Sequence, residues 1–415
     1  LKDASSTAIY GSRGANGVIM ITTKKGSTNE QLNYSTSLSV SQVASKLSVL
    51  STEEFIDLTT KYGNPAILQD YDTDWLDQIY RTAFSQNHNL SFGGGSEKSK
   101  YYASISYLDQ KGVVEKSEMK RYTGKISAEQ KFLNDNVNIK FNLTASHVWN
   151  NSPPSGDGGN ANGELFTNAL NANPTYPTHN PDGTIYQFPD GLNPLMLLDL
   201  YTDFRTTDRV LGNVEASVNL FKGLQYKINV ALDNSLSERI GQSKAHNIPD
   251  LANNNGRLSQ GNVQNGNQIV ENYLNYALQK EKHKLDLLLG HSYQRFKYQS
   301  RGWSINGFST TEIEPYYNPS IGTTLDIANN RPSGSATINE LQSFFSRANY
   351  NFDGKYILTA TARMDGSSKF GGNNRYAFFP SFGAAWRISE EAFMADADAV
   401  NNLTLRFGWG LTGNQ

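Results

Sequence analysis

Residues 137–149 read VNIKFNLTASHVW. The odd positions Val137, Ile139, Phe141, Leu143, Ala145, His147 and Trp149 hold most of the apolar side chains. Asn138, Lys140, Asn142, Thr144 and Ser146 alternate with them, and only Val148 breaks the pattern. A period of two puts one set on each face of a β-sheet. Working outward, Tyr376, Phe378, Pro380, Phe382, Ala384, Trp386 and Ile388 share a face against Arg375, Ser381, Gly383 and Arg387, with Phe379 the exception. Leu32, Tyr34, Thr36, Leu38 and Val40 form another such set; so do Tyr356, Leu358, Ala360, Ala362 and Met364, and Leu403, Leu405, Phe407 and Trp409. An ordinary soluble sandwich also alternates. Two features point instead to a membrane barrel. Several runs reach about a dozen residues, against about 5–6 for globular strands. Aromatics also close the apolar faces, at Trp149, Tyr350, Phe352 and Tyr376, where an interfacial girdle lies.

The connections sort themselves. Strands are expected near 32–44, 85–96, 99–110, 118–133, 136–150, 206–221, 224–241, 268–280, 283–303, 336–352, 355–367, 374–388 and 402–411. The connections between them are then roughly 40, 2, 7, 2, 55, 2, 26, 2, 32, 2, 6 and 13 residues. Every second one is tight, as at Asn134-Asp135, Lys222-Gly223 and Asp353-Gly354, with residues that tolerate positive φ. Only 389–401 is long on that side. Outer-membrane barrels join strands by short periplasmic turns and long extracellular loops, whereas a sandwich has no reason to sort them. Within the long loops, Ser51 and Glu54 form a capping-box pair, Phe55 and Leu58 share a helical face, and Gly63 suits a stop. A helix is expected near 52–62. Residues 151–205 are rich in Gly, Asn and Pro and carry Tyr176, Tyr186 and Phe188; loops this long are commonly functional.

Composition removes other classes. Lys plus Arg total 37 against 39 Asp plus Glu, so neither a basic nucleic-acid footprint nor an acidic tail is present. The absence of cysteine excludes disulfides, thiolate metal sites and cysteine nucleophiles. Mean hydropathy is −0.54 and no apolar run approaches the ~18–20 residues of a membrane helix. Tyr 22, Phe 20 and Gly 35 against Pro 13 suit a large all-β protein. The chain opens at Leu1 with no signal segment, so it is expected to be a piece of a longer protein.

The opening LKDASSTAIYGSRGANGVIMITTKKG resembles the end of the plug domain of TonB-dependent outer-membrane receptors, in wording nearest the SusC/RagA family. DTDWLDQIYRTAFSQNHNLSFGGGSEKSKYYASISYLDQKGVV and KRYTG resemble the family's first barrel hairpins. FFSRANYNFDGKYILTATARMDGSSKFGGNNRYAFFPSFGAAWRISEE resembles its middle barrel, and the final GLTGNQ is also typical. The resemblance implies a 22-strand barrel closed by an N-terminal plug, one of the plugged large barrels. The expected fold is thus all-β: residues 1–30 as the C-terminal end of the plug, and 31–415 as about 13 strands of a transmembrane antiparallel up-and-down barrel. A partial barrel has two edges of unpaired backbone, costly in lipid and aggregation-prone in water. The isolated fragment is therefore not expected to form a stable pore.

GSRGANG at 11–17 matches neither spacing of a phosphate-binding glycine loop. With Tyr10, its Gly11, Arg13, Gly14 and Gly17 suit a close-packed turn leading into a buried strand at Val18, Ile19, Met20 and Ile21. By the resemblance Arg13 should meet barrel carboxylates, and Glu215 and Glu271 are inward acids available to it; alternatively Arg13 caps carbonyls within the plug. None of the six histidines, His88, His147, His179, His246, His283 and His291, has metal-ligand spacing. Asp70, Asp72, Asp74 and Asp77 could suggest calcium; a solvated loop around a packed Trp75 is the simpler reading. No Gly-x-Ser-x-Gly elbow or other catalytic constellation is present, so neither enzyme activity nor a cofactor is expected. Sugar-stacking candidates are Tyr176, Tyr186, Phe188, Trp303, Tyr316 and Tyr317, with loop self-packing as their alternative.

The resemblance implies an importer of oligosaccharides, or of peptides, in the outer membrane of a Bacteroidetes-type bacterium. Its partners would be a SusD-like lipoprotein lid, TonB with the inner-membrane energising complex, and outer-membrane lipid, but no nucleic acid. A passive porin or a surface glycan-binding barrel is the alternative; the plug-like segment separates the two, since an open pore has no use for it. An outer-membrane hydrolase would need a nucleophile with a histidine partner, and none is visible.

Overall fold

The computed structural model describes residues 8–14, 17–19, 26–154, 165–189, 191–246, 255–308, 313–324, 331–394 and 400–413. Thirteen strands form one sheet in strict sequence order, every neighbouring pair antiparallel. They are β1 Gln31–Ser41, β2 Ala83–Gly95, β3 Ser99–Lys111, β4 Glu118–Phe132, β5 Val137–Ser152, β6 Tyr201–Phe221 and β7 Leu224–Ala245. Then follow β8 Asn255–Lys280, β9 His283–Asn306, β10 Ser333–Phe352, β11 Tyr356–Ser367, β12 Tyr376–Arg387 and β13 Thr404–Gly410. Among the described residues β1 and β13 each pair on one side only.

The register carries the two-residue period from strand to strand. Phe141 lies opposite Val214, Val214 opposite Val230, and Val230 opposite Val270. On the far side Leu358 is flanked by Tyr350 and Ala384. All belong to one face, and no second layer covers it: Phe141 is 38% exposed and Leu358 43%. A sandwich would have buried these residues. Such a face is stable where lipid, not water, meets it. The other face carries Asn142, Glu215, Glu271, Ser343 and Arg363, and the N-terminal segment lies against it. It is the lumenal face.

Turn chemistry is as the sequence suggests. Asn134, Asp135, Gly223, Asp353 and Gly354 have positive φ in the tight connections. Next to the β10–β11 turn, aromatic side chains of the outward face run side by side: His283 and Phe352 at 4.9 Å, and Tyr356 stacked with Trp386 at 6.4 Å. This is the girdle at the short-turn rim.

The strand bounds differ most at the loop side. The sequence places β8 from 268, but it begins at Asn255, and β7 runs to Ala245, leaving 246–254 as the connection. Apart from Leu258 and Val263, residues 255–267 are polar or glycine because these strand ends project past the apolar band, so they carry no regular alternation to detect. The helix expected near 52–62 is present as α1, Thr52–Tyr62, with both halves of the Ser51–Glu54 capping box formed and Gly63 at its C-cap. Three further helices were not foreseen: α2 Trp75–Ile79, α3 Leu165–Asn171 and α4 Pro194–Leu200.

Candidate functional site

At the lumenal face of β10 and β11 the strand period places two opposite charges two residues apart, Arg363 and Asp365. Their side chains are 3% and 4% exposed, and Arg363 Nε donates to Asp365 Oδ1 at 2.6 Å. One further guanidinium nitrogen donates to Ser343 Oγ at 2.9 Å, and the other to the backbone carbonyl of Ile9 at 2.5 Å. The guanidinium lies over the Phe345 ring, 5.0 Å from its centroid. A planar fork with five donors is suited to holding a carboxylate, a hydroxyl and a carbonyl at once.

Ile9 belongs to a 3-10 segment, Ala8–Arg13, that packs on β10, β11 and β12. Gly11 sits there with φ 58°, and a Cβ would collide with both the Asp365 carboxylate and the Arg363 side chain. Only glycine fits, for conformation and for space. Gly14 and Gly17 close the following turns, Gly14 N–H donating to Gly11 O at 3.0 Å and Gly17 N–H to Gly14 O at 3.1 Å. The close-packed turn is therefore formed. The buried strand expected after it is not: Val18 and Ile19 are outside any strand, and Ile19 is 91% exposed, since no strand lies beside them among the described residues. Met20 and Ile21 lie outside the described residues.

The Arg13 side chain also lies outside the described residues. Its proposed partners are engaged elsewhere on the lumenal face. Glu215 meets Lys140 Nζ at 2.7 Å and Lys227 Nζ at 3.5 Å, and Glu271 accepts from Asn229 Nδ2 at 3.1 Å. The sequence reasoning passed over Arg363 and Asp365, although both stand on the polar face of a strand whose alternation had been read.

At the opposite, long-loop end, the β1–β2 and β5–β6 connections fold together. Trp75, Leu76 and Ile79 of α2, Leu165 and Ala169 of α3, and Leu197, Leu198 and Leu200 of α4 form one core with Tyr176 and Phe188. Trp75 Nε1 donates to Asn173 O at 2.8 Å and its ring meets Phe188 edge-on at 5.0 Å. Asp74 and Asp77 are used locally: Asp74 caps α2, and both pair with Lys46. Burial raises the Asp74 pKa, but hydrogen bonds from Lys46 and the Asp77 N–H outweigh it and leave the carboxyl below its ordinary value. Lys116, in the β3–β4 turn, ties the wall to this unit by donating to Tyr201 O at 2.9 Å, and burial pushes its pKa down.

This core corrects part of the ligand-contact expectation. Tyr176 is 0% exposed and Phe188 5%, so both rings are spent on loop self-packing. Tyr186 is half-buried beside them, its hydroxyl accepting from Gln69 Nε2 at 2.6 Å. Trp303 fails for another reason. It shares the outward face with Leu287, Leu289 and Tyr293, and beyond the apolar band it packs with Ile240, Leu258, Ile305 and the loop residues Phe308 and Ile321. Tyr316 stands edge-on to Phe204 at 5.1 Å, and Tyr317, against Tyr316, is 75% exposed. Of the six, Tyr317 keeps its ring most open.

Among the described residues no three His, Asp or Glu side chains come together to hold a metal. Residues 148–414 match the family model described as TonB dependent receptor-like, beta-barrel. The chain is similar to TonB-dependent receptor P3 of Formosa agariphila, 36% identical over 420 residues, covering all of this chain and 41% of that protein. It is also similar to TonB-dependent receptor SusC of Bacteroides thetaiotaomicron, 33% identical over 454 residues, covering all of this chain and 43% of that protein. Among solved structures, the RagAB peptide transporter superimposes with a TM-score of 0.86 at 26% identity, over all of this chain and 51% of the other. The chain thus spans less than half the length of the two curated relatives.

Proposed function

Because the chain belongs to the TonB-dependent receptor-like β-barrel proteins, which are outer-membrane proteins, we propose that it forms the first part of the wall of a TonB-driven importer. The cargo would be an oligosaccharide or a peptide. Residues 1–30 would be the end of a plug, and 31–415 about 13 of about 22 wall strands. The observation that carries the reading is the Arg363 clamp on the Ile9 carbonyl. A buried guanidinium that spends one arm on another segment's backbone holds that segment by hydrogen bonds alone, and such bonds can be broken and remade.

In this scheme a SusD-like lipoprotein closes over the long loops, and TonB, energised at the inner membrane, pulls the plug off its seat. The SusC and RagAB resemblances support an import role with such partners, and the RagAB peptide transporter supports the peptide class of cargo. A passive porin is the second reading, and the clamp argues against it. The test is receptor-dependent uptake of labelled oligomers in matched strains with and without TonB. Uptake that persists without TonB would overturn the importer and favour the porin.

A further inference from the structure

The lumenal face of β4–β7, between the apolar band and the loops, has an uneven charge. Taking the positions in phase with Asn142 and Glu215, this panel carries Arg121, Lys125, Arg205, Arg209 and Arg239. Against them stand two carboxylates, Asp203 and Asp233. The whole chain has a net charge of −2, so a cationic panel here is a local excess rather than a reflection of composition.

The two carboxylates are committed. Asp203 takes Arg239 through Nε at 2.9 Å and a second nitrogen at 2.6 Å; Asp233 takes Arg209 through Nε at 2.7 Å and a second nitrogen at 2.6 Å. Arg121 and Arg205 have no acidic partner among the described residues, and both are exposed. Arg205 also stands directly opposite Arg239 in the β6–β7 register. Like charges placed opposite one another destabilise a sheet; Asp203 offsets Arg239, so Arg205 is left as the cation open to an added anion.

Space for one is present. A cleft of about 580 Å³ is lined by Arg205 and Arg239, by the carboxylates Asp203 and Glu118, and by Gln110, Asn150 and Ser152; Asp203 is held by Arg239 and Glu118 by Arg81, which leaves Arg205 as the lining cation without an acidic partner among the described residues. Guanidinium forks pair with carboxylate or sulfate, and amides with the hydroxyl or N–H groups around them.

We propose that this panel binds cargo through anionic groups, carboxylate or sulfate, carried on a polar oligomer. The inference rests on the importer reading and narrows its cargo to the acidic class. It is tested on the full-length receptor purified from outer membranes. Tetragalacturonate is titrated against its methyl ester, and a glutamate-rich hexapeptide against its glutamine counterpart, at low and high salt. The two pairs distinguish a saccharide source of the anion from a peptide one.

The acidic member of one pair is expected to bind about tenfold or more tightly than its neutral partner, with the advantage shrinking as salt rises. The double variant Arg121→Gln/Arg205→Gln removes that advantage. Lys297→Gln/Arg301→Gln, which removes the same charge from the outward face, leaves it intact, and unchanged heat-modifiability shows that both variants fold. Absence of acid preference in both pairs, or a preference that survives Arg121→Gln/Arg205→Gln, would overturn the proposal. Acid-selective binding without TonB-dependent uptake removes the importer reading and leaves this one; TonB-dependent uptake of neutral oligomers only does the reverse.

Discussion

Replacing Arg363 tests how the N-terminal segment is seated. Arg363 and Asp365 are 3% and 4% exposed and joined at 2.6 Å, so Arg363→Ala strands a carboxylate away from water. Breaking one side of a buried ion pair costs about 3–5 kcal/mol. Separately, the hydrogen bond to Ile9 O is lost. A bond from a charged donor contributes about 1.5–3 kcal/mol, which weakens seating about 10- to 150-fold. The pair Arg363→Met/Asp365→Asn separates the two effects, since removing both charges returns much of the wall's stability while the Ile9 contact stays broken. Hydrogen exchange over residues 8–14 in the full-length protein reads the seating, and thermal melting reads the wall. Faster exchange at 8–14 with a nearly restored melt is expected. Unchanged exchange there in the double variant would refute the clamp.

Two further outcomes follow from the wall and its rim. Phe141→Lys places a charge on the outward face and should cost about 2–4 kcal/mol at the centre of the apolar band, whereas Asn142→Lys, one residue away but lumenal, should change heat-modifiability little. In the β12–β13 connection, the Glu391 carboxylate accepts from Tyr356 Oη at 2.6 Å and Trp386 Nε1 at 3.0 Å and meets Lys355 Nζ at 3.2 Å, and these contacts hold its pKa below the ordinary carboxylate value. A lowered folded pKa means that the contribution is full above the unfolded carboxylate range and fades as pH falls through the folded value. Melting curves across the acid range should show Glu391→Gln less sensitive to acid than the parent; equal sensitivity would contradict the assignment.

The wall was legible because each strand in the apolar band has to declare its faces. Alternation at 137–149 and 376–388 and the turn residues at Asn134, Gly223 and Gly354 located the strands to within a few residues. The signal vanished at 255–267, where the strands pass beyond the apolar band and, apart from Leu258 and Val263, Ser, Asn, Gln, Gly and Arg serve on either face. In the loops, capping chemistry marked α1 but was not followed at Asp74 or at Asn193-Pro194, where the same signals start α2 and α4. The burial of Tyr176 and Phe188 had no local sign at all. It depends on Trp75, about a hundred residues earlier, reaching the same core. Trp303 was different: counting by twos from Leu289 places it outward, so parity already argued against a lumenal role.

The union of the two long connections around Trp75 and Tyr176 has a mechanical consequence. A mouth built from separate flaps could open one flap at a time. Here, hairpins rooted at opposite ends of the six-strand stretch β1–β6 share a single greasy hub, so displacing either drags the other. The two connections move as one stiff hatch, and a substitution in either that loosens the hub slackens both hinges together.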